Sequence, residues 1–448
     1  EIVEMLAELP DLWDVNISDW SMDSATSRFE SEGYQEQYMS FVKSMTSKPV
    51  VGVGRFTSPD TMLSLIQRGV MDLIGAARPS IADPFLPKKI EEGREDEIRE
   101  CIGCNICVMS DELSVPISCT QNPTMGEEWR RGWHPERIEP RNSDDGVLVV
   151  GGGPAGLECA LALGQRGYRV ILAEASAELG GRVSRESRLP GLAEWGRVRD
   201  YRVLMLERMA NVTIYRENPL SADEIFEFSA EDQFDYSHVM LANGSSWRRN
   251  GLGRIHREPI PGLDKLQVFT PDDIMDGVLA KGRVVVFDDD HFYMGGVLAE
   301  KLRREGHDVL IVTPAPDIST WTHKTLEQKK VQKQLMDLGV ELATQTNLTA
   351  AETGKVELSC IFTERKTERE CDSLLLVTER IPNDGLFNSL NSYPERLTNA
   401  GIKTLKCIGD SFAPGTIAAA VYSGHLAARE LQAEPQEEVP FLRERIQI

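Results

Sequence analysis

One stretch constrains the fold more than any other: GVLVVGGGPAGLECALALGQRGYRVILAEAS, residues 146–176. An apolar strand (Val147–Val150) enters a glycine-rich turn, a helical pattern follows, and a second strand (Val170–Ala173) leads to Glu174. Glycines let the backbone turn tightly and approach a pyrophosphate at a helix N-terminus, while the acid can accept hydrogen bonds from ribose hydroxyls. This order predicts a Rossmann-like nucleotide-binding domain. Its candidate ligand-binding residues are Gly151, Gly153, Gly156 and Glu174.

Two further segments extend the predicted nucleotide site. ELGGR, ending at Arg182, supplies a second glycine turn of the kind that flavoproteins place near their dinucleotide. LKCIGD supplies Gly409 and Asp410 at a strand end, where such proteins hold a ribose or ribityl group. Gly409-Asp410 alone would be read as an ordinary turn. Only its occurrence together with the glycine-rich turn and ELGGR favours a role in binding ADP or FAD.

A second copy of the nucleotide-binding pattern follows at residues 282–314, GRVVVFDDDHFYMGGVLAEKLRREGHDVLIVTP. The glycine turn is replaced by Asp288–Tyr293, and Thr313 occupies the place of Glu174. Carboxylates repel a pyrophosphate, and bulky side chains block the close approach of the backbone. We therefore expect the fold to persist while nicotinamide-nucleotide binding is lost.

Four of the eight cysteines lie within nineteen positions of one another, spaced C-x2-C-x2-C-x11-C. Three evenly stepped cysteines present thiolates around one tight loop, which is typical of a [4Fe-4S] cluster. The alternatives are a structural zinc, which is more often held by two separated C-x2-C pairs, and unligated or redox-active thiols. The pattern favours the cluster, with Cys101, Cys104, Cys107 and Cys119 as ligands.

Upstream of the cysteines, strand patterns in 12–18, 48–56 and 71–85 alternate with helical stretches such as Thr61–Arg68. Such β/α repeats suggest a TIM barrel, whose last loops often bind a flavin or sugar phosphate. GVGR and GAAR fit such a phosphate site, and the alternative reading is that their arginines form ordinary salt bridges. The candidate FMN residues are Gly54, Arg55, Ala77 and Arg78. Because a closed barrel needs eight strands, we expect this chain to be a fragment that lacks the first five.

Composition excludes several classes of function. The formal net charge of −22 argues against nucleic acid, which requires clustered Lys and Arg. The sequence has no apolar run of membrane-spanning length, and the remaining cysteines are too scattered for a secreted disulfide framework. These features indicate a cytoplasmic enzyme or enzyme subunit without membrane insertion.

The following motifs occur in this order along the chain: DLWDVNISDW, GVGRF, GAARPSIADPFLP, CIGCNIC, CTQNPTMGEEWRRGWHPE and VGGGPAG. With these motifs, the chain resembles the trimethylamine dehydrogenase family of iron–sulfur flavoproteins. That family includes dimethylamine and histamine dehydrogenases and N-methyl amino-acid demethylases, with 2,4-dienoyl-CoA reductase more distant. The resemblance covers essentially the whole chain. It implies FMN, a [4Fe-4S] cluster and ADP or FAD as cofactors, a small amine as substrate, an electron-transferring flavoprotein as acceptor, and a homodimer.

The resemblance also implies substrate-side residues. Trp20 matches one wall of an aromatic bowl that holds methylated ammonium by cation–π attraction, and Asp23 matches the catalytic carboxylate. Asp111 stands where the trimethylamine enzyme has a second tryptophan, and a carboxylate there favours a cation that carries N–H donors. The alternative readings are rim packing for Trp20 and a solvated loop position for Asp111.

We therefore expect an α/β chain with five regions: 1–100, the last three β/α units of the barrel; 101–140, the cluster segment; 141–268, the first part of the ADP/FAD domain; 269–384, an inserted, degenerate NAD-binding-like domain; and 385–448, the return to the ADP/FAD domain with a C-terminal tail. The function that the resemblance implies is that of an amine dehydrogenase or N-demethylase in its full-length form, and two rival functions stay open. One is an NAD(P)H-dependent enoate or dienoyl-CoA reductase, and the other an electron-transfer subunit that lacks its own complete barrel.

Overall fold

The computed structural model describes residues 1–229 and 235–433. Residues 434–448, the end of the predicted region 385–448, lie outside the described residues. The first region holds three short strands and the helices around them. Its elements are α1 (Ile2–Leu6), β1 (Trp13–Val15), α2 (Trp20–Asp23), α3 (Glu36–Lys43), β2 (Val50–Gly52), α4 (Pro59–Gln67), β3 (Leu73–Ile74), α5 (Ala77–Ala82) and α6 (Leu86–Glu91). The cluster segment that follows holds α7 (Ile106–Glu112) and α8 (Glu128–Arg131).

The three strands of this region form one parallel sheet in the order β1-β2-β3. Phe56, Leu65 and Met71 pack beneath it in a buried cluster, which is what the apolar positions of β/α repeats require. The predicted strand at 71–85 is shorter than expected, because the chain turns into α5 at Ala77. That turn places the start of α5 beside the end of β3.

The first nucleotide-binding region begins at β4 and continues to β8. Its elements are β4 (Gly146–Val150), α9 (Pro154–Gln165), β5 (Arg169–Ala173), α10 (Arg182–Glu186), α11 (Arg197–Glu207), β6 (Val212–Tyr215), α12 (Ala222–Phe228), β7 (Tyr236–Leu241) and β8 (Ser245–Trp247). The second region repeats the pattern. It comprises β9 (Gln267–Phe269), α13 (Pro271–Met275), β10 (Arg283–Asp288), α14 (Tyr293–Arg304), β11 (Asp308–Val312), α15 (Gln328–Asp337), β12 (Glu341–Ala343), β13 (Thr346–Glu352), β14 (Lys355–Cys360), β15 (Lys366–Glu370), β16 (Ser373–Val377) and β17 (Arg380–Pro382).

The chain then returns to the first region through α16 (Gly385–Asn391), α17 (Pro394–Asn399), β18 (Thr404–Cys407) and α18 (Ile417–Glu430). Strand β18 pairs with β7 and completes a five-stranded parallel sheet in the order β18-β7-β4-β5-β6. A second five-stranded parallel sheet has the order β12-β11-β10-β16-β9, and β13-β14-β15 form a separate antiparallel sheet. Strands β17 and β8 pair antiparallel and link the two regions.

The central strands of the two five-stranded parallel sheets are buried on both faces, which explains their apolar runs. Strand β4 is buried along its whole length, as is β16, and α9 is buried over nearly all of its residues. Parallel strands covered on both sides read as continuous Val, Ile and Leu rather than as alternating patterns. Among the described residues, no helix combines the length and apolar character needed to cross a bilayer.

Candidate functional site

The four predicted cluster cysteines line one pocket, and Arg78 lines it with them. Cys101 and Cys104 lie on the loop before α7, Cys107 in its first turn, and Cys119 on the segment that returns after it. The structure therefore brings Cys101 and Cys119, which are eighteen positions apart in the sequence, together with Arg78 from the barrel region.

The electrostatics of this pocket suit a cationic group. Burial raises the pKa of the Cys104, Cys107 and Cys119 thiols to about 12, and repulsion between neighbouring cysteines adds to the rise. Thiolates crowded into such a pocket need a compensating positive charge, which iron or zinc supplies. In the part of the chain that the structure describes, no three His, Cys, Asp or Glu side chains are close enough to hold a single metal ion.

The cysteine loop packs tightly against the barrel region. The backbone N–H of Cys101 donates to Thr57 Oγ1 (3.0 Å), and the Ser27 N–H donates to the Gly103 carbonyl (3.0 Å). Gly103 has a φ of +60°, and a Cβ there would lie 1.9 Å from Arg55 Nη1. Glycine is therefore required at this position by both backbone conformation and space.

The four predicted FMN residues lie at the carboxyl ends of two neighbouring parallel strands. Gly54 and Arg55 follow β2, and Ala77 and Arg78 begin α5 just after β3. This edge is where barrels of this kind bind phosphates. A Cβ on Gly54 would lie 3.1 Å from the Cα of Gly33, which is closer than ordinary van der Waals contact. Glycine at this position therefore lets the backbone after β2 pass close to Gly33.

The two arginines of this set take different positions. Arg78 Nη1 donates to the carbonyl oxygens of Ser24 (3.2 Å) and Ala25 (3.0 Å) and faces the cysteine pocket. Arg55 is buried, and its Nη2 donates to the Glu30 carbonyl (2.7 Å). Arg55 thus fills the space between the barrel region and the cysteine loop, whereas Arg78 lines the pocket itself.

The predicted substrate-side residues lie on two different helices. Trp20 begins α2 with 45% of its surface exposed, and Asp23 ends the same helix with its carboxylate accepting from Gln35 Nε2 (3.0 Å). Asp111 is exposed in the last turn of α7. The structure therefore places Trp20 and Asp23 on one short helix and Asp111 on another.

Asn105, which the sequence analysis missed, connects these parts. It lies between the second and third cysteines and is 1% exposed. Its Oδ1 accepts from Arg78 Nη1 (2.7 Å), and its Nδ2 donates to the carbonyl oxygens of Ser24 (2.6 Å) and Thr325 (3.0 Å). The signal in the sequence was an asparagine inside a tight cysteine loop, because asparagine tolerates the left-handed conformation better than most residues.

The predicted nucleotide residues line a second, larger cavity of about 590 Å³. Gly151, Gly153, Glu174, Arg182 and Asp410 all contribute to its wall. Gly156 and Gly409 lie beneath it instead. A Cβ on Gly156 would sit 1.8 Å from the Gly151 carbonyl oxygen, so this glycine lets α9 approach the turn. That cradle has the volume and the exposed backbone that an ADP group requires.

Glu174 is held in place by the turn it faces. Its Oε2 accepts from the Gly152 N–H (2.6 Å), and its Oε1 accepts from the backbone N–H (2.8 Å) and the hydroxyl (2.7 Å) of Ser176. A carboxylate oxygen has a second lone pair, so these contacts orient Glu174 while leaving it able to accept from a ribose.

Asp410 anchors a charged cluster at the other end of this cavity. Its Oδ2 accepts from Arg182 Nη1 (3.0 Å), Ser245 Oγ (3.0 Å) and Arg380 Nη1. Burial raises the pKa of Asp410, but the two guanidinium groups outweigh it and the net pKa is lowered. Arg380, which also lines the cavity, was missed by the sequence analysis because nothing in the TERIPN stretch marks it as a ligand-binding residue.

The altered turn of the second copy is filled by its own side chains. The Asp289 carboxylate accepts from the backbone N–H groups of Ile255 (3.0 Å) and His256 (3.0 Å), and it contacts His291 Nε2 (2.8 Å). Asp288 is completely buried. These carboxylates therefore turn inward and close the turn, a more direct obstacle to a pyrophosphate than the repulsion expected from the sequence.

Known protein families match both halves of the chain. Residues 1–97 match the NADH:flavin oxidoreductase / NADH oxidase family, and residues 145–404, more than half of the chain, match the pyridine nucleotide-disulphide oxidoreductase family. The predicted fold class, part of a TIM barrel followed by two Rossmann-like domains, is confirmed.

Individual proteins are similar over most of the chain. Dimethylamine dehydrogenase from Hyphomicrobium sp. (strain x) is 41% identical over 99% of this chain and 63% of its own length. The solved structure of histamine dehydrogenase from Rhizobium sp. 4-9 is 49% identical with a TM-score of 0.96, covering 100% of this chain and 65% of that one. NADH oxidase from Thermoanaerobacter brockii is 29% identical over 90% of this chain and 58% of its own length.

The chain thus spans less than two thirds of these relatives, which are oxidoreductases. The cysteine loop, the nucleotide cavity and the strong similarity to the dimethylamine and histamine enzymes agree with the resemblance drawn from the motifs. The chain belongs to the trimethylamine dehydrogenase family of iron–sulfur flavoproteins.

Proposed function

We propose that the whole protein oxidises a small amine, by dehydrogenation or oxidative N-demethylation. One observation carries this proposal: Arg78, a predicted flavin residue, lines the same pocket as the four cysteines. A flavin site and a metal-cluster site that share a wall suit an enzyme that takes electrons from a substrate and exports them. The similarity to dimethylamine and histamine dehydrogenases supports an amine as that substrate.

The cofactors of this proposal are FMN, a [4Fe-4S] cluster and ADP or FAD. When bound, FMN would supply two-electron chemistry, and the cluster would supply single-electron transfer towards an electron-transferring flavoprotein. Cys101, Cys104, Cys107 and Cys119 would hold the cluster. The four thiols line one pocket, and their evenly stepped spacing supports the cluster over zinc, which two separated C-x2-C pairs hold more often.

The chain's own residues would bind and orient the other groups. The Gly54 and Ala77 backbones and Arg78 would hold the FMN phosphate end, with Arg55 as a buried positive charge beside the cysteine loop. Gly151, Gly153 and Glu174 would hold the ADP half of the nucleotide, with Gly156 and Gly409 shaping the cradle. Arg182 and Asp410 would define its far end.

Substrate recognition in this proposal involves three residues. Trp20 would offer an aromatic face to an ammonium group, and Asp23 would supply a carboxylate near the reacting carbon. Asp111 would pair with an ammonium that still carries a proton, which favours primary or secondary amines over trimethylamine. A cytoplasmic location and the homodimer implied by the resemblance belong to the same proposal.

The experiment is a reduction assay on the full-length, cofactor-loaded protein. Flavin bleaching is followed anaerobically with methylamines, diamines, histamine and N-methyl amino acids, and with NADH and NADPH in parallel. Rapid bleaching by at least one amine, with none by NAD(P)H, is the expected result. Bleaching by NAD(P)H alone would contradict it.

A second candidate is an NAD(P)H-dependent reductase. The match of residues 1–97 to the NADH:flavin oxidoreductase / NADH oxidase family favours it, as does the similarity to the T. brockii NADH oxidase. The filled turn at Asp288–Tyr293 weighs against it, because nicotinamide nucleotides need an open glycine turn. The same assay separates the two candidates.

A further inference from the structure

The backbone of the cysteine loop reverses at Asn105, the residue before α7. Asn105 has a φ of +55° and a ψ of +25°, which is the left-handed conformation. Asn105 lines the cysteine pocket together with Arg78, and its side chain is almost fully buried. A buried amide must satisfy its two N–H donors and its acceptor with hydrogen bonds. Asn105 does so, because its Oδ1 accepts one hydrogen bond and its Nδ2 donates two.

Each of the three hydrogen bonds reaches a different part of the chain. Arg78 belongs to the predicted FMN edge, Ser24 directly follows the substrate-side helix α2, and Thr325 lies in the inserted region between β11 and α15. Asn105 is thus a junction among the cysteine loop, the barrel region and the inserted domain, spanning 220 positions of sequence to Thr325.

The inserted domain holds the segment after α2 at two further points. Thr26 Oγ1 donates to Glu327 Oε1 (2.8 Å), and the Arg28 guanidinium pairs with Glu300 (3.0 Å) with both side chains only 3% exposed. Glu327 Oε2 accepts in turn from Thr325 Oγ1 (2.6 Å). Buried polar contacts of this kind specify a single arrangement, because leaving one partner unpaired is costly.

We propose that Asn105 is a positioning residue, which holds Arg78 and the segment following α2 in register with the cysteine loop. The inserted domain, whose nucleotide turn is filled, acts in this arrangement as a brace through Thr325, Glu327 and Glu300. The inference deepens the proposed function and rests on it where Arg78 and the cysteines are treated as cofactor residues. The junction itself consists of contacts among this chain's own residues.

The test replaces Asn105 in two ways and reads hydrogen–deuterium exchange of the full chain. Asn105→Asp keeps an acceptor for Arg78 but turns a carboxylate oxygen towards two carbonyls. Asn105→Gly keeps the left-handed backbone and removes the side-chain bonds. Asn211→Asp is the matched control, since Asn211 Nδ2 also donates to two carbonyls, those of Gly164 (2.9 Å) and Tyr168 (2.7 Å), within the first nucleotide-binding region.

Both Asn105 variants should accelerate amide exchange about tenfold or more in two distant segments, 20–28 and 320–327, because Asn105→Asp loses two buried hydrogen bonds and Asn105→Gly loses three. The control should leave those segments unchanged. Acceleration confined to 101–107, or wild-type exchange in Asn105→Gly, would assign Asn105 only a local backbone role and overturn the proposal. Thr26→Val provides a second route if an Asn105 variant fails to fold: it should accelerate exchange at 320–327, and unchanged exchange there would also overturn the proposal.

A second readout uses the cofactor-loaded protein. The Asn105→Gly variant should retain its iron but show a shifted cluster reduction potential, whereas an unshifted potential would contradict positioning of the cysteine loop by the side chain. If the parent protein binds no iron–sulfur cluster, the proposed function fails, and the exchange experiment still decides whether the junction exists.

Discussion

The hydroxyl of Tyr293 donates a hydrogen bond to Glu186 Oε2 over 2.6 Å, although the two residues are 107 positions apart. Tyr293 begins α14, where the first copy of the nucleotide fold has a glycine turn, and Glu186 ends α10 beside the nucleotide cavity. The same hydroxyl accepts from Arg182 Nη2 (3.1 Å). Tyr293, which stands in the second copy at the place of the first copy's glycine turn, therefore supports the nucleotide cavity of the first copy.

Replacing Tyr293 with phenylalanine tests this support. Tyr293→Phe removes a donor from the buried carboxylate of Glu186, which should lower the free energy of unfolding by about 1–3 kcal/mol. Chemical denaturation measures the change. Tyr393→Phe is the control, because Tyr393 is exposed and its substitution should change stability by less than about 0.5 kcal/mol. Equal stability of both variants would show that the hydrogen bond contributes nothing.

Asp288 should make stability depend on pH. Burial raises its pKa to about 7, well above the value of about 3.9 in an unfolded chain. The folded protein then binds a proton that the unfolded chain releases, so this residue makes the free energy of unfolding fall as pH rises from about 4 to 7. Asp288→Asn mimics the neutral carboxyl and should reduce that slope.

Urea denaturation of the parent and of Asp288→Asn at pH 5 and pH 8 measures this effect. The variant should gain stability relative to the parent at both pH values, and clearly more at pH 8 than at pH 5. Parallel profiles for the two proteins would mean that Asp288 does not carry a raised pKa in the folded state.

The cysteine pocket predicts the outcome of a single serine substitution. Cys104→Ser in the full-length protein should abolish the visible absorbance of the cluster and electron delivery to an external acceptor, while the amine still bleaches the flavin. Cys360→Ser, at the end of β14 and away from the pocket, should retain the cluster. Iron and zinc analysis of the parent protein completes the test, since zinc alone would rule out an electron-transfer role.

The filled turn of the second copy predicts the response to NADH. Stoichiometric NADH should not reduce the flavin at a useful rate, because Asp289 already occupies the backbone N–H groups of Ile255 and His256 and the turn has no open cradle. Anaerobic stopped-flow absorbance measures this directly, with an amine substrate as the positive control. Fast bleaching by NADH would favour the reductase candidate.

Asp111 predicts a change in amine preference. A charge-assisted hydrogen bond to a protonated amine contributes roughly 1.5–3 kcal/mol, and an aromatic wall contributes about 0.5–2 kcal/mol to a desolvated cation. Asp111→Trp in the full-length enzyme should therefore weaken turnover of primary or secondary amines and favour trimethylamine. The ratios of kcat/KM across methylamines and diamines measure the shift. Unchanged ratios would place Asp111 outside the substrate pocket and leave Trp20 and Asp23 as the substrate-side residues of this chain.

Much of the fold could be predicted because its signals are local. The apolar run of β4, the glycines after it and the acid at the end of β5 form one continuous pattern, and the repeat of that pattern revealed the second copy. The spacing of the cysteines likewise indicated a shared ligand, and all four line one pocket. These features depend on residues close in sequence, whose chemistry and periodicity follow from the chain alone.

The tertiary structure determined which residues that are distant in the sequence contact one another. Arg55 and Arg78 both follow barrel strands and read alike in sequence, yet only Arg78 lines the cysteine pocket, because the Glu30 carbonyl binds Arg55. Asn105 becomes a junction only when Ser24 and Thr325 are folded against it. The sequence by itself determined the two nucleotide folds and the cysteine loop, since their patterns are contiguous. Only packing determined how the inserted domain meets the rest, because each contact there needs a partner that lies far away in the chain.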